Sequence, residues 1–252
     1  MKRIQIITLL TFGVLHLTPI IAQNALFKQA NESYNKKDYG SAISSYHQLI
    51  DKGYKDAVLY YNLGNAYFKN EQLGNAVLWY ERALRLSPDN KDIQYNLAFA
   101  NQQTTDRIES IPPFFLKTWI LSVQNLFSAK QWAVFSLFFC ALLVISILLI
   151  VLISNYKARM TFFFLACAMF LFTILSIVFA GLQTNNANRT DEGIVIQNSA
   201  SIKSMPDDAG TDLFTVHEGT KVKITDRVGE WLEVQFSNGS QGWVLSEGIE
   251  VI

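Results

Sequence analysis

Four asparagines, Asn31, Asn62, Asn65 and Asn96, are the side chains whose type and spacing could do recognition chemistry in this chain. A carboxamide carries a donor and an acceptor together, so it can pair with both polar groups of a peptide backbone. The four recur at repeating phases in a polar, Asn- and Tyr-rich stretch that runs to about residue 110. The same residues could equally be solvated or bonded within the fold. A second pair, Trp231 and Trp243, could line a ligand groove or serve as half-buried packing. No constellation points to catalysis. His16, His47 and His217 stand apart in sequence, with no nucleophile–base pair, metal cluster or phosphate loop beside them. No catalytic, metal or cofactor site is expected, and the chain reads as a binding protein, not an enzyme.

Half of the 252 residues are hydrophobic and the formal net charge is zero. Neutrality without a basic stripe argues against a nucleic-acid partner. The average conceals three regimes: polar to about 110, apolar to 183, then rich in Gly and Val. Both cysteines, Cys140 and Cys167, fall in the apolar regime, so no disulfide framework or thiol site is expected in either polar arm. They read as small apolar packing residues.

The elements that must position the asparagines repeat. Shifting the chain by 34 aligns Ala30 with Gly64, Asn31 with Asn65, Tyr34 with Phe68, Ala42 with Ala76 and Tyr46 with Tyr80. Small residues at 30, 42, 64 and 76 let paired helices approach closely, the two tyrosines fill the gap to the next pair, and Pro88 ends a unit. Helices are expected near 24–36, 39–52, 56–70, 73–86 and 90–105, the last capped by Asp89. Pro112-Pro113 interrupts any partner helix, which makes the fifth helix a terminal cap. Through Leu63-Gly64, Tyr67, Ala76, Tyr80, Ala83 and Pro88 the stretch resembles the tetratricopeptide repeat, which has that period. The resemblance implies a concave face, lined by the first helix of each pair, that takes extended peptides, and it places all four asparagines there. The carboxylate clamp of chaperone-binding members does not carry over, because the matching cationic positions hold Phe27, Asp92 and Asn96.

Met1-Lys2-Arg3 followed by apolar Ile4–Leu17 reads as an export signal, either cleaved after Ala22 or retained as an anchor. Ala133–Ile153 and Met160–Leu182 hold no charged residue. Each covers about 31 Å or more as a helix, enough for a hydrocarbon core of about 30 Å. With only Asn155–Arg159 between them, a transmembrane hairpin is expected, with Lys157 and Arg159 cytoplasmic. Export plus an even number of spans puts both arms in the periplasm of a bacterial inner membrane. The absence of ionisable residues in the spans disfavours transport. Ahead of them, Phe115, Leu116, Trp119, Ile120, Val123, Leu126 and Phe127 share one side of a helix. That helix suits the membrane interface, or packing against the repeats. Ser128 and Gln131 form a capping-box pattern at the start of the first span.

After a polar linker the period changes to two, with short strands expected at Gly193–Asn198, Ser201–Ser204, Thr220–Arg227, Glu230–Phe236 and Gln241–Leu245. Leu213-Phe214, Glu218-Gly219, Gly229-x-Trp231, Asn238-Gly239 and Gly242-Trp243-Val244 resemble the bacterial SH3-like domain. The acidic and tyrosine motifs of the eukaryotic proline groove are missing, so proline-peptide recognition does not transfer. The expected organisation is a signal peptide 1–22, repeat domain 23–110, amphipathic segment 111–131, membrane hairpin 132–183, linker 184–192 and SH3-like domain 193–252. The fold class is therefore multi-domain: an all-α tetratricopeptide solenoid, a two-helix transmembrane hairpin and a small all-β SH3-like barrel. This order of parts resembles the BatE-like family of the Bacteroides aerotolerance (Bat) operon. That resemblance implies a scaffold in an envelope stress complex, with von Willebrand A-domain Bat proteins and a MoxR-type ATPase system as partners. The alternative is a cell-wall tether or sensor whose barrel grips peptidoglycan.

Overall fold

A computed structural model describes residues 25–108 and 114–252; the expected signal peptide and the Pro112-Pro113 break lie outside these residues. Five helices open the described chain: α1 (25–35), α2 (Tyr39–Asp51), α3 (Ala57–Lys69), α4 (Leu73–Leu86) and α5 (Lys91–Gln103). Their starts are set by side-chain caps. Asp38 accepts from Ser41 N, and Asp56 from Val58 N and Leu59 N. For α5 the cap is Asn90, which accepts from Asp92 N and Ile93 N, rather than the expected Asp89, which instead accepts from the Ser87 hydroxyl. Lys37 and Glu71, equivalent under the 34-residue shift, both take left-handed φ values of 64° and 61° in the turns inside the two pairs. The repeat core is built from Ala30, Ala42, Tyr46, Leu49, Leu59, Leu63, Ala66, Trp79, Ala83 and Ile93. Gly64 shows why small residues recur: a Cβ there would lie 2.7 Å from the Tyr80 ring. Gly64→Leu should therefore force the α3–α4 pair apart and cost about 1–3 kcal/mol, read as a lower urea midpoint. An unchanged midpoint would refute the close-approach argument.

Helix α6 (Phe115–Gln124) precedes α7 (Ala129–Leu152) and α8 (Tyr156–Ala187), which pair with each other as an antiparallel hairpin. Both are long and apolar enough to cross a membrane, with mean hydropathies of 3.1 and 2.7. Phe139 stacks on Phe172 at 5.4 Å and Trp132 packs on Phe179 at 5.0 Å. Ser146, Thr173 and Ser176 are buried. The Ser146 and Thr173 hydroxyls bond to carbonyls one turn back, so they cost no unsatisfied group. The expected capping box at Ser128–Gln131 is present. Two boundaries differ from expectation. The turn of the hairpin is Ile153–Asn155, with Asn155 capping α8, so Lys157 and Arg159 lie in its first turn. At the other end the stretch expected as a linker stays helical through Ala187, because propagating an existing helix adds one bond per residue fixed. Four residues, 188–191, then lead into the sheet.

Seven strands form one antiparallel sheet: β1 (Glu192–Val195), β2 (Ser199–Lys203), β3 (Asp212–His217), β4 (Lys221–Val228), β5 (Trp231–Gln235), β6 (Gln241–Leu245) and β7 (Ile249–Val251). Their order is β3-β2-β6-β5-β4-β1-β7. Strands β3 and β7 were not among those expected. Alternation sends Val195, Ile202, Val216, Val222, Leu232, Val234 and Val244 into one core.

The sheet docks against the α4 side of the repeats. Ala76, Val77, Tyr80, Leu97 and Ala100 share a buried cluster with Ile194 and Ile252, and Ile108 packs on the barrel core. Polar bonds ring this contact. Arg85 donates to the backbone oxygens of Arg189 (2.6 Å) and Ile252 (2.7 Å) and to Glu192 (3.0 Å). Arg82 donates to Glu250 and to Val251 O, Lys221 to Glu81, and Gly74 N to Glu218. Gly219, at φ 85°, sits where a Cβ would lie 2.6 Å from the Thr104 methyl.

Candidate peptide-binding groove

The four asparagines converge in pairs. Helices α1, α3 and α5 carry them, and α2 and α4 supply a tyrosine to each pair. Tyr46 OH donates to Asn31 Oδ1 at 2.6 Å, and Asn62 Nδ2 reaches the same oxygen at 3.4 Å. One repeat later, Tyr80 OH donates to Asn65 Oδ1 at 2.7 Å and Asn96 Nδ2 donates to it at 2.9 Å. Asn96 Nδ2 also lies 2.9 Å from Tyr61 OH. The unit Asn–Tyr–Asn thus occurs twice, as 31–46–62 and 65–80–96. Burial, with a smaller contribution from Tyr34, pushes the Tyr46 hydroxyl up to about 12, and burial raises that of Tyr80 as well. Both hydroxyls stay protonated and able to donate at neutral pH.

The oxygens of Asn31 and Asn65 are therefore committed to the fold. Among the described residues, their Nδ2 groups and the Oδ1 atoms of Asn62 and Asn96 carry no hydrogen-bond partner, so each unit keeps a free amide donor group and a free carbonyl acceptor. The residues of the two units line two adjoining cavities. One, of about 320 Å³, is lined by Asn31, Tyr34, Asn35, Tyr46, Asn62 and Asn65. The other, of about 340 Å³, shares Tyr34 and Asn65 and adds Phe68, Lys69, Tyr95, Asn96 and Phe99. Phe68, Tyr95 and Phe99 form an aromatic shelf, with Tyr95 stacked on Phe99 and 71% exposed. Apart from Lys69, both linings are uncharged. Among the described residues, no three His, Cys, Asp or Glu side chains converge as metal ligands would.

Trp231 and Trp243 lie elsewhere. Trp231 pairs with Leu245 and Trp243 with Glu233, so the two are diagonal neighbours on one face of β5–β6. Leu232, Val234 and Val244 point to the opposite, core side, and the tryptophans stand half-buried outside that core.

The residues that sequence reasoning missed join the barrel to the repeats. Asp106 accepts from His217 N (2.6 Å), Thr220 Oγ1 (2.8 Å) and His217 Nδ1 (2.9 Å). Burial alone would raise its pKa, but these bonds outweigh it and hold the carboxyl below its usual value. Glu192 behaves alike: burial raises it, and Lys221 with Arg85 brings it below the ordinary value. Charged residues on the outside of a helix ordinarily mark a solvated face, so the types of Glu81, Arg82 and Arg85 carry no signal of this contact.

Known families match two segments of the chain. Residues 64–104 match the TPR repeat, and residues 198–250 match the bacterial SH3 domain. No curated protein matches the chain. The two family matches fall on the α3–α5 stack and on the sheet from β2 to β7.

Proposed function

We propose that this chain is a non-catalytic scaffold of the bacterial inner membrane that holds a protein partner in its repeat groove. The observation that carries the reading is the duplicated Asn–Tyr–Asn unit, with a free amide donor group and a free carbonyl acceptor in each repeat, lining an open groove whose one charged side chain is Lys69. A peptide backbone offers the complementary pair at every residue. In this reading the hairpin of α7 and α8 anchors the chain, and the export signal followed by two spans supports a periplasmic location for both arms. The BatE-like resemblance extends this to an envelope stress complex with Bat-type von Willebrand A-domain partners and a MoxR-type ATPase system. Membrane attachment would raise the local concentration of a partner in the same bilayer.

Asn65→Asp tests the groove. It keeps an oxygen for Tyr80 and Asn96 while turning the free donor into an acceptor. Partner capture by the full chain from solubilised envelopes should fall about tenfold or more, one hydrogen bond lost and one repulsion gained being worth at least about 1.4 kcal/mol. Undiminished capture by a folded Asn65→Asp variant would rule the groove out. The match to the bacterial SH3 domain favours a second reading, a cell-wall tether. There, co-sedimentation of the full chain with isolated peptidoglycan would depend on Trp231 and Trp243 and ignore Asn65.

A further inference from the structure

Helix α6 has no role in the groove or the barrel, yet its surroundings are unusual. Phe114, Phe115, Leu116, Trp119, Ile120 and Leu126 are all exposed, Phe115 by 73%, so the alternative of packing against the repeats is not how this helix is covered. The buried residue of α6 is a polar one, Gln124. Its backbone carbonyl accepts from the Trp132 indole Nε1 at 2.9 Å and from the Gln183 amide Nε2 at 3.0 Å. The same Gln183 amide reaches Asn125 Oδ1 at 3.0 Å and Phe127 O at 3.5 Å. Gln183 is itself only 2% exposed. Phe127 closes the elbow against Trp132 at 5.1 Å and Phe135 at 4.8 Å.

The level of this elbow matters. Trp132 and Gln183 stand where the apolar runs of α7 and α8 give way to polar residues. Ser128, Lys130 and Gln131 lie on one side, and Thr184, Asn185 and Asn186 on the other. The latch therefore fixes the C-terminal end of α6 at the edge of the apolar slab formed by the hairpin. A helix so placed, with Phe115, Leu116, Trp119, Ile120 and Val123 on one side and Lys117, Thr118, Ser122 and Asn125 around Leu121 on the other, matches an interfacial helix. Lys117 is its sole charge, so apolar burial rather than attraction to anionic headgroups must hold it.

We infer that α6 is a lipid-binding helix lying in the bilayer surface on the side of the repeats and barrel, with its Phe115–Leu116–Trp119–Ile120 face in the acyl–headgroup boundary. The inference rests on the proposed membrane hairpin, and the test separates the two. In full-length protein with Cys140 and Cys167 replaced by alanine, spin labels are placed singly at Leu116→Cys, Thr118→Cys and Val144→Cys. The protein is reconstituted in phosphatidylcholine nanodiscs, and accessibility to oxygen and to a water-soluble nickel chelate is read. Label 144 should report the hydrocarbon core. Label 116 should show a several-fold higher oxygen-to-nickel ratio than label 118, unchanged in high salt or when anionic lipid is added. If 144 is lipid-buried but 116 is as open to nickel as 118, α6 is off the membrane and the inference falls. It falls equally if 116 is shielded from both reagents, which would mark a protein contact such as a second copy. A ratio at 116 that collapses in high salt would overturn the apolar mode of binding. Nickel access at 144 would instead remove the hairpin reading, and the inference with it.

Discussion

Removal of residues 188–252 from the full chain is expected to strip hydrogen-exchange protection from α4 and α5 while leaving α2 close to its original protection. The barrel is not a pendant module. Val77 is 1% exposed and Ala76 and Ala100 are fully buried, and their cluster is completed by Ile194 and Ile252. Uncovering one large aliphatic side chain forfeits about 1.5–3 kcal/mol. With Val77 and Leu97 uncovered, and Gly74 N and Arg85 stripped of partners, the opening free energy of α4 and α5 should drop by about 3–5 kcal/mol. Helix α2 belongs to the separate cluster around Tyr46 and Leu49 and should feel the loss least. Local stability is set by such buried contacts, so amide exchange in detergent reads it segment by segment. Equal protection with and without the barrel would mean that the shared cluster adds nothing to the repeats. The expected result also bears on the groove: Asn65 and Asn96 sit on α3 and α5, so a truncated chain that loses its partner would not by itself assign binding to the barrel. Asn65→Asp in the full chain separates the two causes.

What was readable beforehand follows the range of each physical signal. The 34-residue shift placed five helices within a residue or two, because close helix packing demands small residues at fixed positions and because caps act locally. The same shift carries Asn31 to Asn65 and Tyr46 to Tyr80, and it carries Asn62 to Asn96. The duplicated Asn–Tyr–Asn unit was thus present in the alignment; what the alignment could not supply was that the tyrosines take the asparagine oxygens. Period-two alternation placed Trp231 on the same side as Glu233, hence away from Leu232 and Val234. Strand β7 is three residues long and follows a short helical turn, too little for a period to show. Contacts between distant segments leave no periodic trace at all. Arg85 meets Glu192 across 107 positions and Asp106 meets His217 across 111, and each looks alone like an ordinary surface charge.

Glu192→Ala should destabilise the joined repeat–barrel unit by about 3 kcal/mol at neutral pH, as removal of one member of a buried ion cluster leaves the others uncompensated. The low end of the usual range applies because the Glu192 side chain keeps 25% of its exposure, whereas that of Arg85 keeps 7%. Glu192 is bonded to Arg85 at 3.0 Å and lies 3.2 Å from Lys221 and 3.7 Å from Arg189. Lys221 retains Glu81, and Arg189 retains Asp191, whose carboxyl the Arg189 bonds bring down to about 2. Arg85 would be left with the oxygens of Arg189 and Ile252, without a side-chain carboxylate among the described residues. The pH dependence follows from the direction of the Glu192 shift. Its folded-state pKa lies below the ordinary 4.5, so its contribution is complete above that value and is lost as pH falls through the lowered one. The gap between the parent chain and Glu192→Ala, measured by urea unfolding in detergent, should be constant from pH 8 to about pH 5 and close in more acid solution. A gap that widened in acid would mean the carboxyl is protonated in the fold and that the cluster is wrongly assigned. Replacing Arg85 by methionine together with Glu192 by leucine should cost less than either single change, since the charge and its counter-charge then leave the interface as a pair.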